Sequence, residues 1–214
     1  DWTLSLMGIP SERAADDRWK DLHAHFVSEA RDKEADVLIL GDDHVALLEQ
    51  SNFYRDQLAA LHCLVFGMMG DTVSLAEWRV TNGEIERIPA KVVLLSIGHN
   101  DVLVSSPDEF LTRLESLVKE VQTRLPLAAI FVMKLIPSGR SAASRPRHWI
   151  SSVNSSMETR LGSLASVIDI DTSIINSEGL IDRHLLFDYF HLTQEGYSRV
   201  FENVHLALSE ALNP

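Results

Sequence analysis

Four short groups of residues hold the side chains that could do chemistry in this sequence. They are Gly41–Val45, Gly67–Thr72, Gly98–Asp101 and Asp188–Thr193, and together they contain glycines, carboxylates, an amide and histidines. Histidine and carboxylate side chains are the usual groups of acid–base catalysis, and nucleophilic catalysis depends on such a base. One group alone would be weak evidence, but four groups in this order indicate one site.

Each of the first three groups directly follows a short apolar run. Five such runs occur, each too short for a helix and apolar on both faces, which is typical of buried parallel strands. Because ligands of such sheets bind at the carboxyl ends of the strands, the chemistry is expected at that edge. The runs are Asp36–Leu40, Cys63–Phe66, Val92–Ile97, Ala129–Met133 and Val167–Ile170.

Amphipathic helices separate these runs. The clearest has Ser106 as its cap, Pro107 at its first position and Glu109 three residues after the cap, which is the pattern of a helix start. The last helix is expected to begin near Thr193. This alternation predicts a three-layer α/β/α sandwich around a five-stranded parallel sheet, with a flavodoxin-like layout.

The composition predicts one domain over residues 1–214, with 1–16 as an N-terminal extension. A net charge of −12 disfavours nucleic acid and anionic membranes as partners, because both repel it. The single cysteine, Cys63, fits a reducing compartment, and neither a membrane span nor a signal peptide is recognisable, so a cytoplasmic protein is expected. The histidines lack metal-site spacing and no nucleotide motif occurs, so no metal or other cofactor is expected.

Read in order, the four groups resemble the blocks of the SGNH hydrolases, which contribute Ser, Gly, Asn and a closing Asp-x-x-His. The resemblance runs from about Asp17 to the C-terminus. It is nearest to the catalytic subunits of the brain-type (type Ib) platelet-activating-factor acetylhydrolases. The segments that carry it are Asp16–Trp19, Asp36–Asp42, Phe66–Thr72, Trp78–Glu84 and Phe187–Thr193.

The resemblance implies a role for each matching residue. His191 would be the general base, and Asp188 would be the carboxylate that orients it. The backbone N–H of Gly70, the side-chain amide of Asn100 and the backbone N–H at Asp43 would form an oxyanion hole. Such a site takes the proton of a nucleophilic hydroxyl and then stabilises the negative charge of the transition state.

The nucleophile itself is missing. The family's turn reads Gly-Asp-Ser, whereas this chain has Gly41, Asp42 and Asp43. Attack by a carboxylate on an acyl carbon would give a reactive anhydride, and a charge about 4 Å from the developing oxyanion costs roughly 4 kcal/mol. Loss of the nucleophile costs about a million-fold in a comparable triad. We therefore predict that the chain is catalytically inactive or nearly so as an esterase.

Three bulky side chains agree with this prediction. His44, His99 and Phe190 stand where the family shapes a small acyl pocket beside its catalytic residues. We expect them to narrow or fill the space that an acetyl group would need. A natural loss of activity explains all three, whereas one engineered change would not.

The two acids of the first group are expected to differ in role. Asp42 is expected to cap backbone N–H groups, as short acids at strand-to-helix turns commonly do. Asp43 is expected to accept a hydrogen bond from His191, so that Asp43, His191 and Asp188 form one cluster.

Two functions follow from these features. The first is an interaction subunit, since the resemblance implies homodimers or heterodimers and association with a WD40-repeat regulatory protein of the lissencephaly type. The alternative is a working hydrolase that removes the sn-2 acetyl group of platelet-activating factor or similar short acyl groups. In that case His191 would activate water directly, with Asn100 and Gly70 in place. Site chemistry outweighs fold and favours the first function.

Overall fold

The computed structural model describes residues 8–213. Within them, five strands form one parallel sheet: β1 (Val37–Gly41), β2 (Cys63–Gly67), β3 (Val92–Ser96), β4 (Ala129–Met133) and β5 (Ser166–Ile168). Their order across the sheet is β2-β1-β3-β4-β5, as in doubly wound folds. The predicted fold class is confirmed, and every predicted strand overlaps an observed one.

Helices cover both faces of the sheet. Leu38 and Leu40 of β1 pack into one apolar core cluster, whereas Val37 and Ile39 pack into the other, as the alternation of a strand requires. Helices α1, α3, α4 and α5 enclose the first cluster, and α2, α6 and α7 enclose the second. The bounds are α1 (Asp17–Asp32), α2 (Asp43–Ala46), α3 (Val73–Arg79), α4 (Pro107–Arg124), α5 (Arg145–Leu161), α6 (Gln194–Val200) and α7 (Glu202–Leu212).

The helix ends show where the sequence patterns held. At the start of α4, the Ser106 side chain accepts from the Glu109 N–H and the Glu109 carboxylate accepts from the Ser106 N–H, which is the predicted capping box.

The single final helix that was expected from Thr193 onward is two helices, α6 and α7. Phe201, with φ −91° and ψ 1°, separates them while its ring stays buried. No helix in the described range is long and apolar enough to cross a membrane.

The sheet register aligns the loops that carry the four groups. Gly41 pairs with Gly67 on one side and with Ser96 on the other, so β1, β2 and β3 end level. A Cβ on Gly41 would overlap the carbonyl oxygen of Ser96, and one on Gly67 would overlap the backbone of Ala46 in α2. Glycine at both positions therefore lets the loops approach closely above the strand ends.

Candidate active site

Asp43 occupies the centre of the four groups. It is the first residue of α2, directly after β1, and its side chain keeps 10% of its surface exposed. Its Oδ2 atom accepts the backbone N–H of Gly70 at 2.8 Å and the side-chain amide of Asn100 at 2.7 Å. These are two of the three donors that the family resemblance assigned to an oxyanion hole. The carboxylate therefore occupies the position that such donors would offer to an oxyanion.

His191 faces Asp43 from the loop that precedes α6. Its Nδ1 lies 2.7 Å from Oδ2 of Asp188, and Oδ1 of Asp188 accepts the backbone N–H groups of Phe190 and His191. Burial alone would raise the pKa of Asp188, but these hydrogen bonds, with the ring bond first among them, hold it below its ordinary value. The carboxylate thus keeps a proton on Nδ1 and turns Nε2 toward Asp43.

The expected hydrogen bond between Asp43 and His191 is wrong as stated. Nε2 lies 3.6 Å from Oδ1 of Asp43, an ion-pair distance, and makes no hydrogen bond to any described residue. The reason is that Oδ2 is already fixed by Gly70 and Asn100, which sets the direction of the carboxylate. Asp43, His191 and Asp188 therefore lie together as expected, but the hydrogen bonds of Asp43 are made with Gly70 and Asn100 instead of His191.

The turn between Asp188 and His191 is backbone-strained. Tyr189 has φ +66°, a left-handed conformation that bulky residues rarely adopt. It lets the next two N–H groups point back at the Asp188 carboxylate. The Phe187 ring stacks on the His191 ring with centroids 5.8 Å apart, so the imidazole is held by its carboxylate and by an aromatic face.

A buried ionic network supports the loop that carries Gly70. The Asp71 carboxylate accepts from the Trp19 indole at 2.8 Å and from Arg79 at 3.0 Å, and Arg79 also pairs with Glu84. Burial raises the pKa of Asp71 to about 6 against the opposing charge of Arg79. The segments that carry the family resemblance contain these four residues, but they gave no sign of a buried ionic network. The sequence signal that could have indicated it was Arg79, which lies in the apolar stretch leading to Val80.

Arg13 contacts the residues on either side of Gly70 in the loop after β2. The Arg13 guanidinium donates to the carbonyl of Met69 at 3.0 Å and reaches the Asp71 carboxylate at 3.4 Å. Gly70 itself has φ +76°, and a Cβ there would stand 3.0 Å from the guanidinium. Glycine therefore suits the left-handed turn, and a side chain there would press on the Arg13 guanidinium.

His44, His99 and Phe190 lie together beside Asp43. The two imidazole centroids are 4.2 Å apart, and the Phe190 ring is 5.2 Å from His44 and 6.2 Å from His99. Both histidines are almost fully buried, and Nε2 of His44 donates to the carbonyl of Phe190 at 2.9 Å. The three side chains predicted to narrow an acyl pocket thus form one aromatic cluster.

Asp42 binds His99 of this cluster. It caps backbone N–H groups as predicted, but those groups belong to the loop after β3 and not to its own strand-to-helix turn. Its carboxylate accepts the N–H groups of Gly98 and His99 at 3.0 Å, and it lies 3.0 Å from Nδ1 of His99. The backbone N–H of Ile136 donates to Nε2 of His99 at 3.0 Å, so the ring proton sits on Nδ1. Burial lowers the pKa of His99, which agrees with a neutral ring.

Asp42, His44 and His99 have ligand atoms within 4.8 Å of one another, a spacing that a metal ion can use. However, Nδ1 of His99 carries its proton toward Asp42, while Nε2 accepts a backbone N–H. A metal at Nδ1 would require the neutral imidazole to lose its one N–H proton and become an imidazolate. The donor set therefore fits a hydrogen-bonded tether better than a metal centre.

A surface cavity of about 650 Å³ borders Gly70. Its wall includes Arg13, Asp101 and Arg113, but not Asp43, His99 or Phe190. The cavity therefore does not coincide with the acyl space that the family resemblance places beside the nucleophile position. The blocked acyl pocket and the third donor, the backbone N–H of Asp43, stay predictions.

The parallel sheet, its strand-end glycines and the Asp–His pair define the SGNH-type hydrolase class. The GDSL-like lipase/acylhydrolase family model matches residues 39–199, and the chain belongs to that family. It is 37% identical over 199 residues to platelet-activating factor acetylhydrolase IB subunit alpha2 of Rattus norvegicus, covering 92% of this chain and 86% of that protein. The alpha1 subunit of Bos taurus is 33% identical, with 92% and 85% covered.

A solved structure agrees on the fold. The GDSL-like lipase of Bacteroides thetaiotaomicron superposes with a TM-score of 0.73 at 15% identity, covering 88% of this chain and 98% of that chain. At that identity the likeness concerns the fold alone. The overall fold is thus shared where little sequence is shared.

Proposed function

We propose that this chain is a GDSL-family subunit that lacks esterase activity and works through its interactions with other proteins. The observation that carries the proposal is the position of the Asp43 carboxylate. Its Oδ2 takes the Gly70 and Asn100 donors, which a substrate carbonyl would need. A hydrogen bond to a charged group contributes about 1.5–3 kcal/mol, so a neutral ester oxygen competes poorly for both donors.

Two further features support the loss of esterase activity. A carboxylate stands where the family has its hydroxyl, and that change alone removes the usual acyl-enzyme step. We expect the aromatic cluster of His44, His99 and Phe190 to occupy the space that a small acyl group would need. Each feature blocks a different requirement: nucleophile, oxyanion stabilisation and substrate fit.

An exposed apolar rim supports the interaction role. Met69 precedes Gly70, Leu103 and Val104 follow Asn100, and Phe187 stacks on His191. All four rim side chains are at least half exposed, and exposed apolar patches mark contact sites. We infer that this rim contributes to a homodimer or heterodimer, because the relatives named above are enzyme subunits. A WD40-repeat regulatory protein of the lissencephaly type is the further partner that the family resemblance implies.

A working esterase is the second candidate, and one observation favours it. The pair of His191 and Asp188 is fully assembled, and Nε2 of His191 has no hydrogen-bond partner among the described residues. Such a base activates water in principle, and the substrate would be the sn-2 acetyl group of platelet-activating factor or a similar short acyl ester. The filled donor pair argues against it, because the oxyanion would lack its stabilisation.

An ester assay separates the two candidates. The parent chain, Asp43→Ser and His191→Ala are compared on a short acetyl ester, with thermal melting to verify folding. We expect no turnover by the parent. Turnover that disappears in His191→Ala would instead establish the water-based esterase. Size-exclusion chromatography with light scattering tests the subunit role, and a monomer at micromolar concentration would contradict the homodimer.

A further inference from the structure

The two oxygens of the Asp43 carboxylate have different surroundings. Oδ2 accepts two hydrogen bonds, from Gly70 and from Asn100. Oδ1 accepts none from any described residue and lies 3.6 Å from Nε2 of His191. Oδ2 is thus held by two donors, while Oδ1 keeps its lone pairs free and faces Nε2 of His191, which has no hydrogen-bond partner among the described residues.

A carboxylate is a poor nucleophile toward an acyl carbon but a competent one toward a saturated carbon. Attack on an acyl carbon gives an anhydride, whereas attack on a saturated carbon gives an ordinary ester. We propose that Asp43 accepts alkyl groups from primary alkyl halides and that the resulting aspartyl ester is hydrolysed with help from His191. This activity goes beyond the proposed interaction role.

In the first step Oδ1 attacks the carbon that bears the halogen. The Oδ1–carbon bond forms as the carbon–halogen bond breaks, and the halide leaves with the bonding pair into solvent. Oδ2 becomes the carbonyl oxygen of the new ester and stays on the Gly70 and Asn100 donors. The attacking oxygen needs no general base, because a carboxylate oxygen has no proton to give up.

In the second step water attacks Cγ of the aspartyl ester. His191 takes the water proton on Nε2 while Asp188 stabilises the charged ring. The negative charge then develops on Oδ2, where the Gly70 N–H and the Asn100 amide already point. Collapse breaks the bond between Cγ and the alkyl oxygen, and His191 returns the proton to the departing alkoxide. The carboxylic acid then loses its proton to solvent, so alkyl halide and water give alcohol, halide and one proton.

The surroundings favour an uncharged alkyl substrate. The rim of Met69, Leu103, Val104 and Phe187 offers apolar contact around the site. The chain carries a net charge of −12, which repels anionic electrophiles. The Asp43 side chain keeps 10% of its surface exposed, and displacement at a saturated carbon is fastest at a primary, unbranched centre.

The test uses 1-bromobutane with the parent chain and with His191→Gln. The parent is expected to release bromide in repeated turnovers. His191→Gln is expected to release about one equivalent and then slow by about 10²-fold or more, since a general base contributes 10²–10⁴-fold. Intact mass and peptide mapping should then find one butyl group on Asp43. A chain that carries no butyl group on Asp43 in either form would overturn the inference.

Isotope labelling and two control variants complete the test. In water enriched in oxygen-18, single turnover should place the label in the Asp43 carboxylate, because water attacks Cγ. Label in the butanol alone would mean direct attack by water and would overturn the proposal. Asp43→Asn should release bromide only at the buffer rate. Asp56→Asn, a change at a side chain that is 53% exposed, should behave like the parent.

Discussion

The side-chain amide of Asn100 donates to Oδ2 of Asp43 at 2.7 Å and to the backbone carbonyl of Asp71 at 3.0 Å. Gly70, beside Asp71, donates its N–H to the same Oδ2 atom. One carboxylate and one amide therefore tie together the loops that follow β1, β2 and β3. Replacing serine by aspartate at this position removes a hydroxyl and also adds a link between three loops.

We expect Asp43→Ala to lower the free energy of unfolding. The change removes the acceptor of two hydrogen bonds, each worth about 1.5–3 kcal/mol to a charged group, and water replaces part of that. The expected loss is about 1–3 kcal/mol, measured by urea denaturation. Asp56→Ala, at an exposed carboxylate, should change stability by less than about 0.5 kcal/mol. A more stable Asp43→Ala chain would show that repulsion from nearby acids outweighs the hydrogen bonds.

Asp101 predicts a pH dependence of stability. Burial raises its pKa to about 7, and Asp42 adds to that shift while the Val73 N–H at 2.9 Å and Arg113 oppose it. When the pKa of a carboxyl is higher in the folded chain than in the unfolded chain, its contribution to stability is greatest at pH values where it is protonated in both chains. Its contribution therefore falls as pH rises from about 4 to about 7 and stays lost above that range.

The matching variant is Asp101→Asn, whose amide oxygen can still accept the Val73 N–H. The difference in free energy of unfolding between variant and parent should increase in favour of the variant as pH rises through that range. The slope is at most about 1.4 kcal/mol per pH unit. Urea denaturation across the range measures it. A difference that does not change with pH would contradict the raised pKa of Asp101.

We expect Arg79→Met to destabilise the chain strongly. Arg79 is fully buried between the Asp71 and Glu84 carboxylates. Removing it deprives both acids of their buried guanidinium partner and leaves Asp71 with Arg13 at 3.4 Å and Glu84 with His23 at 2.7 Å. Breaking such a pair costs about 3–5 kcal/mol. Thermal and urea denaturation measure the loss, which should shrink at low pH as the carboxyls become protonated.

A second arginine provides the matched comparison. Arg160 pairs with Asp108 and Glu115 between α4 and α5, but these side chains lie at the surface. Arg160→Met should cost less than about 1 kcal/mol, because solvent screens exposed pairs. Equal losses in the two arginine variants would contradict the buried-network explanation.

The strand ends were predictable because their signals are local. A β-branched apolar run followed by glycine marks the end of a buried strand, and Gly41 and Gly67 allow the following loops to pack closely. The start of α4 was predictable for the same reason, since Ser106 and Glu109 lie three residues apart. The break at Phe201 was not, because Phe201 continues the apolar spacing of a single helix and its ring stays buried.

The direction of the Asp43 carboxylate could not be read from the sequence. His191 and the pair of Gly70 and Asn100 both lie within reach, and differences of less than 1 Å decide which one bonds. The network of Arg79 and Glu84 was equally hidden. These residues are five apart and meet because Gly83, with φ +106°, turns the chain after α3. Contacts set by such turns have no periodic signal.

The aromatic cluster beside Asp43 predicts how activity could be restored. Asp43→Ser alone supplies a hydroxyl facing His191, but His44 and Phe190 still occupy the space beside it. An acyl carbon displaced by about 1 Å reacts about 10²-fold more slowly. We therefore expect the single variant to stay at least about 10²-fold below Asp43→Ser/His44→Ala/Phe190→Ala on a short acetyl ester.

Two controls decide what that difference means. His44→Ala/Phe190→Ala without the serine should remain inactive, since space alone supplies no nucleophile. Adding His191→Ala to the triple variant should remove most of the recovered turnover, because the hydroxyl then has no base. If Asp43→Ser alone matched the triple variant, the rings of His44 and Phe190 would not obstruct an acetyl group. The loss of esterase activity would then rest on the single carboxylate at Asp43 and on its hold over Gly70 and Asn100.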